Sequence, residues 1–204
     1  MATFIMLPDG VTGTNNWKNW CSNPNLNFCG AADHTLVDDD TATNSYIHET
    51  MNNQVVTFTM ADPSVVEGDI DTINSVTVKI KAQYDQSSVT KDLKVEQTGG
   101  SISNGSDTHT LDDSAFPLYT GTAEQYSTGT TAWEYSDLED LQVKLTTIDR
   151  ANRFYYYKVS YIYAEVDYVA AAAGYTNDVM GVDSGDISTV NGIATADISK
   201  VNGI

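Results

Sequence analysis

Hydrophobic and polar residues alternate with period two over long stretches of this chain. In Ile73–Tyr84, INSVTVKIKAQY, the residues Val76, Val78, Ile80, Ala82 and Tyr84 fall on one side, and Thr77, Lys79, Lys81 and Gln83 on the other. Successive side chains of a strand point to opposite faces, so the pattern predicts an antiparallel-sheet strand with one wet face. Val55–Met60 repeats it with Val56, Phe58 and Met60 until Asp62-Pro63 breaks the run. Lys91–Gln97 repeats it with Leu93 and Val95. Leu141, Val143 and Leu145 do the same after SDLEDL, which reads as a single helical turn.

The longest such stretch is Phe154–Tyr168, FYYYKVSYIYAEVDY, rich in aromatic and β-branched types and free of Gly and Pro. Its end alternates cleanly, with Ile162, Ala164, Val166 and Tyr168 inward and Tyr163, Glu165 and Asp167 outward. Tyr155, Tyr157, Tyr161 and Tyr163 share the outward parity, and the residues between them leave room for a bulge that shifts the register. An outward Tyr row is a ready contact surface, because each ring brings area at low entropic cost and a polar tip. It suits a subunit interface or a sugar platform; cross-strand packing under a loop explains it equally well.

Shorter signals complete the pattern. Phe4–Leu7 and the region around Tyr46 and Ile47 read as short strands, and Leu7–Gly10, LPDG, as a turn. Phe116–Gln125 reads as a weaker strand that Pro117 places at an edge. The glycine- and asparagine-rich stretch from Gly99 to Asp107 reads as a turn-rich excursion. Trp17, Trp20 and Phe28 are expected to plug one end of the core. Seven or eight short strands with almost no helix predict an all-β fold, an antiparallel β-sandwich of jelly-roll type, with a closed barrel as the alternative.

The pattern changes after Tyr168. Residues 169–174 form a small-residue linker between the sandwich body, 1–168, and a repeat segment, 175–204. Val179, Val190 and Val201 fall eleven apart, as do Gly181, Gly192 and Gly203, and Val182, Ile193 and Ile204. Each unit reads as one helical turn closed by Asn-Gly, with the following Ile or Val folding back. A single turn is not stable alone. The apolar positions, Val179, Val182, Ile187, Val190, Ile193, Ile198, Val201 and Ile204, are therefore expected to anchor the segment on a partner surface.

Charge narrows the function. The 204 residues carry 10 Lys+Arg against 28 Asp+Glu, a formal net charge of −18, which repels nucleic acid. No apolar run approaches a membrane span, and no basic-then-apolar signal peptide opens the chain, so neither a nucleic-acid nor a membrane partner is expected. Salt screens such self-repulsion over about 8 Å at physiological strength, which fits a saline setting.

Candidate chemistry is sparse. No phosphate loop, nucleophile elbow, HExxH or paired CxxC occurs, and His34, His48 and His109 sit among turn-like residues and read as solvent-facing. No catalytic residue and no organic cofactor is expected, and the chain is not read as an enzyme. Asp38, Asp39 and Asp40 form the one oxygen-rich cluster that could hold a hard cation such as Ca²⁺, although Asp runs also simply make turns. Asp112 and Asp113 are a weaker pair. Cys21 and Cys29 flank a turn-rich loop that either a disulfide or two free thiols would suit.

The order LPDG, Trp17, DDDTATNSYI, INSVTVKIKAQY, TAWEYSDLEDLQVKL and VSYIYAEVDY resembles a group of jelly-roll-like virion proteins of marine tailed phages. The ISKVNGI repeats are similar to short repeats appended to phage and marine bacterial surface proteins. The resemblance implies a structural or binding role inside a particle released by lysis. Its partners would be other virion proteins of the capsid or tail, copies of itself, or a host glycan. The first reading is thus a non-enzymatic capsid decoration or accessory protein that docks through residues 175–204. A carbohydrate-binding tail or fibre adhesin is the second, and a self-assembling extracellular filament subunit the third.

Overall fold

The computed structural model describes residues 2–19, 31–32, 34–37, 46–149 and 155–171, with the backbone of 189–190 and 193–194. Two antiparallel sheets make a β-sandwich, as the alternation predicts. One contains β3 (Lys18–Asn19), β4 (Ile47–Glu49), β13 (Tyr157–Ala170), β6 (Ile70–Tyr84) and β9 (Leu118–Thr120) in that order, with β1 (Ala2–Met6) pairing along the later half of β13. The other runs β2 (Pro8–Thr12), β5 (Val55–Met60), β12 (Gln142–Thr147), β7 (Lys91–Thr98), β8 (Ser106–Leu111). A small hairpin of β10 (Tyr126–Thr128) and β11 (Thr131–Ala132) stands apart from both. The chain changes sheet between β1 and β2, β2 and β3, β4 and β5, β5 and β6, β6 and β7, β8 and β9, and β12 and β13, the jelly-roll habit.

The inner faces follow the period-two pattern. Val76, Val78, Ile80, Ala82 and Tyr84 of β6 are buried, as are Val56, Phe58 and Met60 of β5, Leu93 and Val95 of β7, and Val143 and Leu145 of β12. Removing each such side chain from water contributes about 1.5–3 kcal/mol, which makes these rows the fold's main support. Trp17 is fully buried and its indole N–H donates to the Gln54 carbonyl at 3.3 Å, so it closes one end of the core. Trp20 and Phe28 lie outside the described residues.

β13 is the centre of its sheet. It pairs with β6 from Tyr157 opposite Tyr84 to Ala170 opposite Ile70, and so runs two residues into the span expected to be linker. Its register shifts between Val159 and Tyr161, where Ser160 is the extra residue and is itself buried. This bulge corrects one expectation. Tyr157 lies on the inner face with no exposed surface, because parity before Ser160 is opposite to parity after it.

Two strands were hidden in stretches that read as turns. β2 begins at Pro8, which an edge strand tolerates because it need not donate there. β8, SDTHTL, buries only Leu111 and lies at the other edge of the same sheet. An edge strand exposing most of its side chains has little apolar signal to read.

The repeat segment departs from its expected helical turn where it is described. Thr189–Val190 (β14) pairs antiparallel with Ile193–Ala194 (β15), Thr189 opposite Ala194 and Val190 opposite Ile193. The Thr, Val and Ile at these positions favour extended backbone, which wins over the helix here.

Candidate functional site

Of the four tyrosines expected on the outer sheet face, two share it. The rings of Tyr161 and Tyr163 are 5.0 Å apart at 37°, and both side chains are half-buried. Lys79 Nζ sits 5.7 Å from the centre of the Tyr163 ring and 2.9 Å from the Glu165 carboxylate. Tyr155 is half-buried against the core instead, and Tyr157 is inside it. The face is therefore a narrow patch, with Lys79 engaged by its neighbours.

The remaining expected positions fall as follows. Val190 and Ile193 pair across β14 and β15. Val179, Val182, Ile187, Ile198, Val201 and Ile204 lie outside the described residues, as do Asp38, Asp39, Asp40, Cys21 and Cys29. Asp112 makes a turn: its carboxylate accepts from the Ser114 N–H at 2.9 Å, which holds it below the usual carboxylate range. His48 corrects its solvent-facing reading, being 1% exposed with its ring edge-on to Tyr156 at 4.9 Å. His109 lies 5.4 Å from the Tyr119 ring, and burial pulls its pKa down against the raising effect of Asp107.

A concavity lies elsewhere, at the start of β6. β9 covers one edge of β6 only at Lys79–Lys81, and Glu124 bridges Val76. Toward Ile70 the segment from Ala132 to Ser136 faces that edge instead, across a cleft of about 670 Å³. That is the size of a pocket for a small ligand or a sugar unit or two.

Local chemistry holds both walls. The Trp133 indole N–H donates to the Glu124 carbonyl at 2.9 Å, and the ring is nearly buried. Asp137 caps the short helix α1 (Tyr135–Glu139) by accepting from the Glu134 N–H at 3.0 Å and from the Ser101 hydroxyl at 2.8 Å. Leu138 anchors that helix in the core. The Tyr135 hydroxyl donates to the Val65 carbonyl at 3.0 Å and so ties the helix to the turn at Glu67–Asp69.

The lining is aromatic and acidic. Trp133 and Tyr135 supply rings, Ile70 and Ile73 apolar floor, and Glu67, Asp71, Glu134 and Glu139 carboxylates; no Lys, Arg or His is among the described lining residues. The Tyr135 phenol is pushed up by burial first, then by Glu139, Asp62 and Glu67, so the site carries a negative field. Among the described residues no three His, Cys, Asp or Glu side chains are grouped to hold a metal ion. The carboxylates come from both walls, Glu67 and Asp71 from one and Glu134 and Glu139 from the other. Such a surface can stack an apolar ring face, accept hydrogen bonds from hydroxyl or ammonium groups, and repel anions.

The sequence reading missed this site. Its only signal was the interleaving of aromatic and acidic residues in Trp133-Glu134-Tyr135, with the acidic run from Glu67 to Asp71 far away in the chain.

No protein-family model and no curated protein matches the sequence. Among solved structures, the chain is similar to the crystal structure of the CBM36-1 domain of a multidomain xylanase from the hindgut metagenome of Trinervitermes trinervoides. The identity is 11% and the TM-score 0.40, over 82% of this chain and 98% of that one. A likeness of this strength says nothing about ligand or activity.

Proposed function

We propose that this chain is a non-enzymatic binding module whose cleft at the start of β6 takes a glycan. The observation that carries the reading is a ligand-sized cleft that sets the Tyr135 ring among carboxylates that form no described ion pair, with no basic residue in its described lining. A pyranose offers an apolar C–H face for Tyr135 and hydroxyl donors for Glu67, Asp71 and Glu139. Binding alone accounts for these groups, so no turnover is expected. A glycan array followed by calorimetry tests the idea. Tyr135→Ala should weaken the retained glycan at least about tenfold, the scale of losing one stacking contact of about 1.4 kcal/mol, while Tyr135→Phe, which loses the Val65 hydrogen bond but keeps the ring, should hold most of the affinity. Folded protein that retains no glycan, or that binds unchanged with Tyr135→Ala, overturns it.

A second reading rests on the β14–β15 pair. Two residues per strand do not make a stable ribbon in water, which favours a partner surface for the repeats. In this reading the chain is a virion accessory protein docked on capsid, tail or a sister copy, as the sequence resemblance implies. Deleting residues 175–204 should then abolish incorporation into particles. Electron microscopy of the purified chain separates docking from filament formation by the chain alone.

A further inference from the structure

We infer that the cleft prefers sugars carrying a free amine over their N-acylated, neutral and acidic counterparts. The inference rests on the glycan reading and adds the ligand's charge to it.

The described ion pairs leave the rim carboxylates out. The described ion pairs join Lys79 to Glu165, Lys94 and Lys144 to Glu96, and Lys158 to Asp85. All lie on the sheets and away from the cleft. Glu67, Asp71 and Glu139 form no ion pair among the described residues, and no cation lines the cavity that they share. A chain so poor in Lys and Arg has placed its described lysines on strands and left this concavity with one sign of charge.

Concave sites with low-dielectric walls focus a field of one sign, and an ammonium entering here meets carboxylates from two elements. Glu67 and Asp71 come from the turn and start of β6, Glu134 and Glu139 from the α1 segment. The Tyr135 ring points the same way, since the face of a Tyr attracts cations as well as sugar C–H groups. Because the carboxylates come from both walls, the complementary ligand is an extended one with spaced charge. A β-linked glucosamine oligomer matches both demands: a ring face for Tyr135 and ammonium groups for the carboxylates. A uronic or sulfated sugar would meet repulsion at every wall.

Calorimetry with three oligosaccharides of equal length tests this, using the full chain at a mildly acidic pH that keeps the amine protonated. The probes are a glucosamine oligomer, its fully N-acetylated form and a uronic acid oligomer. The glucosamine oligomer should bind about tenfold more tightly than the acetylated one, from a cation–π contact and rim ion pairs together, and the uronic acid oligomer should not bind. The advantage should shrink at 1 M salt, where screening acts within about 3 Å. The double variant Glu67→Gln, Glu139→Gln should bring the affinity for the glucosamine oligomer down to that for the acetylated one and so erase the preference. The control Asp112→Asn, Asp113→Asn, remote from the cleft, should keep it.

Equal affinity for the amine and acetylated forms overturns the inference while leaving the glycan reading intact. Loss of the preference in the Asp112, Asp113 control overturns it too, since overall charge would then be its source. If none of the three probes binds, both this inference and its application of the glycan reading fail, and the array result alone decides whether another glycan occupies the cleft.

Discussion

Tyr157 and Tyr84 lie directly opposite each other across β13 and β6, fully buried, with ring centres 5.5 Å apart and planes at 52°. The Tyr157 hydroxyl donates to the Asp149 carbonyl at 2.9 Å, and burial together with Asp149 pushes its pKa up. Only six residues along the same strand, Tyr163 looks outward. The Ser160 bulge separates the two environments.

That contrast predicts very different costs for the same substitution. Tyr157→Ala should destabilise the fold by about 3–5 kcal/mol, the usual range for removing a large buried aromatic. Tyr163→Ala should cost less than about 1 kcal/mol, because its ring is only half-buried. Urea unfolding of the two variants makes the comparison. Similar costs would mean that the bulge does not divide the strand in this way.

Gly99 takes φ +106, and a Cβ built there would lie 2.0 Å from the Asp140 carbonyl oxygen, just beyond α1. Gly99→Ala therefore meets both backbone strain and a clash that no side-chain rotation relieves. It should destabilise the body by about 2–3 kcal/mol, above the strain of one unfavourable φ alone. Because the clash bears on the end of α1, it should also weaken any cleft ligand. Thermal melts and ligand titration of one variant read both effects.

Glu96 accepts from Lys94 at 2.7 Å and Lys144 at 2.9 Å on the outer face of the five-stranded sheet. Burial alone would raise its pKa, but the two lysines outweigh that and hold it below its ordinary value of 4.5. A depressed folded-state pKa contributes stability that is present above the unfolded value and lost as pH falls through the folded one. Wild type should exceed Glu96→Gln in stability by no more than about 1 kcal/mol near neutral pH, given the pair's partial exposure. The gap should close as pH drops below 4.5. A gap that stays constant down to strongly acid pH would show that the lysines do not act through charge.

Among the described residues, β14 and β15 form their own two-stranded sheet and neither pairs with a strand of the sandwich. Truncation after Ala171 should therefore leave cooperative unfolding of the body within about 1 kcal/mol of the full chain, as for changes away from the core. Circular dichroism melts of the two chains check this. A much larger loss would make the repeat segment part of the body's own support.

The alternation along the chain determined a good deal: two wet-faced sheets, the inward rows of β5, β6, β7 and β12, and β13 as the long strand at the centre. Burial of one face forces period two, so these rows are legible without neighbours. The edge strands β2 and β8 were not, since an edge buries few side chains and can accept Pro8 or a polar run. Which way Tyr157 faces was also beyond the pattern, because a one-residue bulge inverts parity and its position depends on pairing with β6. The cleft was settled by tertiary structure alone. Glu67 and Asp71 precede Trp133, Tyr135 and Glu139 by more than sixty residues, and only the crossing from one sheet to the other brings them to a common wall. Local propensity shapes each segment; contacts between distant segments decide what the segments enclose.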